Sequence, residues 1–142
     1  PVGTNSSSLK EDEIADLNSM LANSSSNNLF FKIDIEGSEY RILDQLIKYA
    51  SSMTGLVVEF HDCDLNHHKI KRFIEEFDLQ LVHIHVNNWG LITPYGFPQA
   101  LELTFSPKRF NTKIINEVNK FPTSLDQSNN PLSKDQPIEF KD

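Results

Sequence analysis

The sequence predicts one α/β domain in which strands and helices alternate along the chain. Short apolar segments rich in β-forming residues are separated by segments whose apolar residues recur at helical spacing, a pattern typical of βαβ units with a parallel sheet. The length of 142 residues suits a single domain with a hydrophobic core. Ten Phe, three Tyr and one Trp argue against a disordered chain.

The first predicted element is a helix within a Ser- and Asn-rich segment. Ser8 and Glu11 form a capping-box pattern, and Ile14, Leu17 and Leu21 then recur at helical spacing. Four predicted strands follow, and each is short and rich in apolar residues, as expected of buried strands. The strands comprise residues 29–35, 56–60, 79–86 and 100–105.

Two further helices are predicted between the first three strands. Ser38 can cap a helix through about Ala50, and Gly55 lies in the turn after it, where a left-handed residue is favoured. The other helix runs from about Asn66 to Phe77 and carries an apolar stripe. Only a loop of about 13 residues joins the last two strands, so we expect those strands to be antiparallel neighbours.

Composition divides the chain into three parts. Residues 1–28 form a Ser/Asn-rich segment with one helix, residues 29–109 form the domain of strands and helices, and residues 110–142 form a Pro/Asn-rich tail expected to pack on that domain. The strand ends that are expected to carry a functional site all lie in the second part.

The chain is acidic, with 13 Lys and Arg against 20 Asp and Glu and a formal net charge of −7. This balance provides no electrostatic attraction for nucleic acid. No apolar run approaches the roughly 20 residues of a membrane helix, and the first residues lack the apolar core of a signal peptide. The single cysteine, Cys63, cannot form an internal disulfide. We therefore expect a cytoplasmic protein that binds neither nucleic acid nor a membrane.

Polar residues follow the first three predicted strands, at the ends where open α/β sheets bind ligands. Asp34 and His61 are candidate bases, since Asp34 lies on a buried strand and histidine titrates near neutrality. Glu59 precedes His61 on its strand and needs a partner if it is buried. The structural alternatives are that Asp34 and Glu36 only place negative charge at a helix N-terminus, and that His61 is an ordinary hydrogen-bonded residue at a strand end.

The segment that directly follows the third strand supplies candidates for substrate binding, namely Asn87, Asn88 and Trp89. Amides beside an aromatic ring suit a sugar or another hydroxylated small molecule. Glu36 is the fourth candidate for contact with such a substrate. The alternative for this segment is an ordinary turn in which Trp89 packs at the edge of the sheet.

Carboxylates and histidines at the same strand ends could also hold a divalent metal. Asp34, Asp62 and His85 are the candidate ligands. His83 shares a strand face with His85, and this H-x-H pair suits metals that accept imidazole, such as zinc, iron or nickel. The pair also occurs on strands that bind no metal.

The octapeptide KIDIEGSE resembles the most recognisable signature of the FkbM-type methyltransferases, class I enzymes that use S-adenosylmethionine. Asp34, Glu36, Gly37 and Glu39 fall on its pattern, K-I/V-D-V/I-E-G-x-E. The resemblance continues through the EFHD, HIHVNN and ELTF segments and the LDQSNNP segment of the tail. It thus covers about residues 29–140.

The resemblance implies the C-terminal half of a Rossmann-like class I methyltransferase fold. Three parallel strands and one antiparallel strand would lie in spatial order 4-5-7-6, with flanking helices. The family binds S-adenosylmethionine mainly through a glycine-bearing loop after strand 1 and an acidic residue after strand 2. The glycines here stand at positions 3, 37, 55, 90 and 96 and form no G-x-G, so we expect this chain to be the C-terminal part of a larger protein.

The implied function is methyl transfer from S-adenosylmethionine to an oxygen of a sugar or related hydroxylated metabolite. The isolated chain is expected to be inactive, because it would lack most of the pocket for the methyl donor. Two alternatives stay open: a metal-dependent hydrolase that uses the histidines and aspartates, and a non-catalytic interaction module that dimerises. We also expect the isolated chain to form a homodimer, since the strand at 29–35 would present an apolar edge.

Overall fold

The computed structural model describes residues 17–24, 28–110 and 120–139. These residues form a mixed α/β structure built on a four-stranded sheet. The capping box predicted from Ser8 and Glu11 lies outside the described residues.

Four strands form the sheet: β1 (Leu29–Ile33), β2 (Met53–Phe60), β3 (Gln80–Val86) and β4 (Leu101–Ser106). Their spatial order is β1-β2-β4-β3. β1 runs parallel to β2, while β4 is antiparallel to both β2 and β3. The α/β class predicted from the sequence is therefore confirmed. The equivalence of these strands with strands 4, 5, 7 and 6 of a Rossmann-like methyltransferase stays a prediction.

Helices precede or connect the first three strands. None of the described helices is long and apolar enough to cross a membrane.

A two-stranded antiparallel pair follows the four-stranded sheet in the chain. The helices are α1 (Leu17–Asn23), α2 (Leu43–Tyr49) and α3 (Cys63–Glu76), and the antiparallel pair consists of β5 (Lys120–Phe121) and β6 (Ile138–Glu139).

The connection from β1 through α2 to β2 differs from the prediction in two places. Ser38 makes no side-chain capping bond, and a 3₁₀ turn at Glu39–Arg41 precedes α2. Gly55 lies inside β2 and not in a turn after the helix. A Cβ at this position would lie 2.8 Å from the ring of Phe30 on β1, so the glycine makes room for a cross-strand aromatic ring.

α3 begins at Cys63, earlier than the predicted start near Asn66. Asp62 has a left-handed backbone with φ of 48°, and its carbonyl accepts hydrogen bonds from the N–H groups of Leu65 and Asn66. The helix therefore starts almost directly after β2. His61 and Asp62 form the whole connection and are fixed at the carboxyl end of that strand.

Aromatic rings pack α3 onto one face of the sheet. Phe73 stacks on Phe77 with ring centroids 4.7 Å apart, and it meets Phe60 and Phe105 edge-on at 6.0 and 5.5 Å. All four side chains are buried. Truncation of such a core ring to alanine typically costs about 3–5 kcal/mol, so this cluster fixes the sheet against the helix that follows β2.

The opposite face of the sheet is polar. Glu59 on β2, Glu102 on β4 and His85 on β3 are direct cross-strand neighbours. Residues 120–139 reach this face, because Asp126 contacts the histidine side chains of β3. The polar face leads to the carboxyl ends of β1 and β2, where the predicted site residues lie.

Candidate active site

A polar cleft opens at the carboxyl ends of β1 and β2. Its volume is about 610 Å³, within the range of about 300–1,000 Å³ typical of small-molecule sites. Of the sequence-predicted site residues, all except Asn88 and His85 line it. The lining consists of Lys32, Asp34, Glu36, Glu59, His61, Asp62, Asn87, Trp89, Gly90, Gln99, Ala100, Glu102 and Asn129.

The turn after β1 brings the carboxylate of Glu39 back to the end of the strand. Glu36 and Gly37 have positive φ values of 54° and 88°, and glycine adopts such values without the steric cost that other residues incur. The N–H groups of Ile35 and Gly37 both donate to Oε1 of Glu39, at 3.1 Å. Glu39 is fully buried, so the turn encloses a carboxylate.

His61 joins this turn to the end of β2. Its Nδ1 lies 3.1 Å from the same oxygen of Glu39. A carboxylate accepts but does not donate, so the neutral ring carries its proton on Nδ1 and has a lone pair on Nε2. Carboxylate oxygens of Glu36, Glu59 and Asp34 lie 3.6, 3.8 and 3.9 Å from Nε2. This is the geometry of a general base whose far side is held by a buried carboxylate.

Tyr40 supports the backbone of His61, and the nearby Cys63 donates its thiol to the carbonyl of Phe60. The Tyr40 hydroxyl donates to the backbone carbonyl of His61 at 2.5 Å. Burial, with a smaller contribution from neighbouring groups, raises the pKa of Tyr40 well above its usual value, so the hydroxyl stays protonated. Burial also raises the pKa of the Cys63 thiol to about 12. A thiolate nucleophile at Cys63 is therefore excluded near neutral pH.

Glu59 is buried and finds its partner at the end of β3. Nδ2 of Asn87 donates to Oε1 of Glu59 at 2.5 Å, and Oδ1 of Asn87 accepts from the N–H of Trp89 at 2.9 Å. The indole ring of Trp89 is exposed at the cleft. Fixed carboxylate and amide groups beside an exposed ring can hydrogen-bond and stack with a hydroxylated ring compound.

Asn88 has a structural role. It is buried, its amide donates to the carbonyls of Asn130 and Ser133, and its Oδ1 accepts from the N–H of Asn130. These hydrogen bonds attach the segment at 130–133 to the end of β3. The prediction that Asn88 contacts a substrate is therefore not supported by its position.

The predicted metal ligands Asp34, Asp62 and His85 do not come together. In the described part of the chain, two groups of side chains place their ligand atoms within 4.8 Å of one another. Asp62 belongs to neither group, although it lines the cleft. The two groups are Asp34, Glu36 and His61 at the cleft, and His83, His85 and Asp126 between β3 and the segment at 120–139.

Two residues in these arrangements, Glu39 and Asp126, are absent from the sequence-predicted set. Glu39 falls on the signature octapeptide, but nothing in the sequence indicates that it contacts His61. Asp126 lies in the LDQSNNP segment of the tail, where no periodicity indicates that it contacts β3.

Comparison of the chain with protein-family models, with curated proteins and with solved structures finds no match. The functional conclusion therefore depends on the geometry of the cleft and on the resemblance of the octapeptide.

Proposed function

We propose that the chain forms the acceptor-binding half of an FkbM-like, S-adenosylmethionine-dependent methyltransferase that methylates a hydroxyl oxygen of a sugar or related metabolite. The observation that carries this conclusion is the imidazole of His61, which Glu39 holds at Nδ1 and which directs Nε2 into the cleft. Glu39 belongs to the octapeptide that resembles the family. The sequence resemblance and the contact between Glu39 and His61 thus independently indicate a functional site in the same region of the chain.

His61 can remove the proton that oxygen methylation releases. S-adenosylmethionine, when bound, would supply a methyl group whose carbon–sulfur bond breaks as the acceptor oxygen bonds to the methyl carbon, with S-adenosylhomocysteine as the leaving group. The acceptor hydroxyl must lose its proton in this step. A hydroxyl within hydrogen-bond distance of Nε2 can transfer that proton to His61. Glu39 at Nδ1 and Glu59 near Nε2 then stabilise the imidazolium, since opposite charges about 4 Å apart near a protein surface attract by about 4 kcal/mol.

The glycines of the chain form no G-x-G, the kind of loop through which the resembled family binds S-adenosylmethionine. Gly37 is a glycine after a parallel strand, as in many nucleotide-binding loops. However, its positive φ of 88° already favours glycine, so Gly37 is no independent sign of a ligand. We therefore assign acceptor binding and proton removal to the described residues, and binding of the methyl donor to other residues.

Calorimetry with S-adenosylmethionine tests this division. The protein expressed from the complete reading frame that encodes this chain should bind S-adenosylmethionine with micromolar affinity, and the 142-residue chain alone should not bind measurably. A complete protein that fails to bind would contradict the methyltransferase proposal. Micromolar binding by the chain alone would contradict the assignment of the methyl donor to other residues.

A metal-dependent hydrolase is a second candidate, favoured by the approach of Asp34, Glu36 and His61 to one another. A cation held there could lower the pKa of a bound water and generate a nucleophile. We place it second because the Glu36 side chain is 86% exposed and that of Asp34 is 44% exposed, whereas catalytic metal ligands are usually fixed by further hydrogen bonds. Metal binding that Asp34→Asn abolishes and His83→Gln leaves unchanged would favour the hydrolase.

A further inference from the structure

A second group of metal-ligating side chains lies between β3 and the segment at 120–139. Oδ1 of Asp126 lies 2.6 Å from Nε2 of His83 and 3.5 Å from Nδ1 of His85. One ligand atom from each of the three residues lies within 4.8 Å of the others. We propose that His83, His85 and Asp126 bind a late first-row divalent cation, with Zn²⁺ as the best fit.

The spacing of the ligand atoms suits a zinc ion. Zinc–ligand distances of about 2.0–2.2 Å place two atoms of a tetrahedral site about 3.4 Å apart. The distance of 3.5 Å between His85 and Asp126 matches this spacing. The 2.6 Å contact between His83 and Asp126 is a hydrogen bond, which must lengthen by about 0.8 Å when the cation replaces the proton. The His83 side chain is 29% exposed, which leaves the ring room to move and the cation a path.

The far sides of two of the ligands are already fixed. Oδ2 of Asp126 accepts hydrogen bonds from the backbone N–H and the hydroxyl of Thr123, at 2.5 and 2.8 Å. Nε2 of His85 lies 2.8 Å from the amide oxygen of Asn129. Because that oxygen can only accept, Nε2 carries the proton and Nδ1 presents its lone pair to Asp126. Metal-bound histidines and carboxylates are characteristically oriented by outer hydrogen bonds of this kind.

This orientation places two acceptors face to face inside the protein. The side chains of His85 and Asp126 are 8% and 9% exposed. A nitrogen lone pair facing a buried carboxylate is unfavourable unless a positive charge lies between them. A metal ion satisfies both atoms and gains His83 as a third ligand.

The donor set also determines which cations fit. Two imidazoles and one carboxylate suit zinc, iron and nickel, whereas calcium and magnesium prefer oxygen ligands alone. An ion bound here would join β3 to residues that lie 43 positions later in the chain. It would therefore hold the segment at 120–139 on the polar face of the sheet, independently of any reaction at the His61 cleft.

Isothermal titration of the chelator-treated chain with zinc chloride tests the site. We expect one ion to bind with micromolar or tighter affinity, and His83→Gln and Asp126→Asn each to weaken binding at least about tenfold. The matched control is the double variant His67→Gln/His68→Gln, which removes two exposed histidines from α3 and should leave the affinity unchanged. Calcium chloride should give no binding heat.

Circular dichroism establishes that each variant is folded. If a ligand variant unfolds, Thr123→Val provides a second test, because it removes only one hydroxyl that orients Asp126 and should still weaken zinc binding by about tenfold or more. Absence of zinc binding by the unaltered chain would overturn the proposal. Equal affinity in the unaltered chain and in folded His83→Gln and Asp126→Asn variants would also overturn it, as would loss of binding in the His67/His68 control.

Discussion

The buried carboxylate of Glu39 lies 3.1 Å from Nδ1 of His61, and two backbone N–H groups of the turn after β1 donate to the same carboxylate oxygen. One side chain therefore fixes both the turn after β1 and the imidazole after β2. This contact links the signature octapeptide to a histidine 22 positions later in the chain. It also leaves Nε2 of His61 directed into the cleft.

Glu39→Gln should separate the structural contribution of this carboxylate from its charge. The amide oxygen of glutamine can still accept the three N–H groups, but its NH2 group would replace Oε2, which is buried and has no hydrogen-bond partner among the described residues. We therefore expect the free energy of unfolding to fall by about 1 kcal/mol. Glu39→Ala leaves those groups without an acceptor and should cost about 1–3 kcal/mol. Urea unfolding of the chain measures both values. Equal destabilisation by the two substitutions would contradict the hydrogen-bonding role.

The charge of Glu39 should matter for the rate of methyl transfer. An amide at this position cannot stabilise the imidazolium of His61 electrostatically, so kcat of the complete protein should fall at least about tenfold in Glu39→Gln. KM for the acceptor should change little, because Glu39 is buried and does not line the cleft. An unchanged kcat in this variant would show that the carboxylate only maintains the turn.

Gly37 should resist substitution because of its backbone conformation. Its φ is 88°, and a residue with a side chain typically loses about 1–2 kcal/mol in the left-handed region. We expect Gly37→Ala to lower the free energy of unfolding by that amount, although space for a Cβ is open. Gly37→Asn should lose less, since asparagine adopts positive φ more readily. Equal losses of stability in Gly37→Ala and Gly37→Asn would argue against the positive φ as the cause.

Asp126 should contribute stability that depends on pH. Burial raises the pKa of Asp126, but hydrogen bonds from Thr123 and His83 lower it by a larger amount. The pKa of Asp126 in the folded protein therefore lies below its usual value. The stabilisation is present above the unfolded pKa of about 4 and is lost as the pH falls through the folded pKa. Asp126→Asn should therefore destabilise the chain more near pH 7 than at about pH 3. Urea unfolding of the unaltered chain and of Asp126→Asn, at about pH 3 and near pH 7, measures the loss of stability at each pH. An equal loss at the two pH values would contradict the prediction.

The outer edge of β1 should support self-association of the isolated chain. Within residues 28–110 and 120–139, β1 pairs with β2 alone, and Phe30 on β1 is 63% exposed. We expect sedimentation velocity at micromolar concentration to show a dimer that Phe30→Lys weakens. Val82→Lys, at an exposed position of β3, is the control and should leave the dimer intact. A monomeric chain would show that this edge does not drive association.

Local patterns in the sequence were sufficient to predict the region of the cleft. Asp34 and His61 lie directly after two parallel strands, and the carboxyl ends of parallel strands meet at one edge of a sheet. Apolar periodicity therefore predicts that such residues come together, although it does not specify their contacts. The α/β class was predictable for the same reason, because each strand and helix carries its own pattern.

Contacts across long chain separations could not be predicted in this way. Asp126 approaches His83 across 43 positions, and its surroundings in the sequence carry no periodic signal. Glu39 was recognisable as part of the signature octapeptide but not as a partner of His61, because the 3₁₀ turn that directs it inward is not encoded by apolar spacing. Asn88 was assigned to a substrate because the segment that uses its amide, at 130–133, could not be placed from the sequence.

Transfer of a labelled methyl group tests the role of His61 most directly. The protein from the complete reading frame is supplied with S-adenosylmethionine labelled in its methyl group and with a set of hydroxylated acceptors that includes sugars. We predict a labelled O-methyl product, with kcat about 10²–10⁴-fold lower in His61→Gln and unchanged in His67→Gln, which alters an exposed histidine outside the cleft. A wild-type rate in His61→Gln, or no transfer by a protein that binds S-adenosylmethionine, would contradict the assignment of His61 as the base of an oxygen methyltransferase.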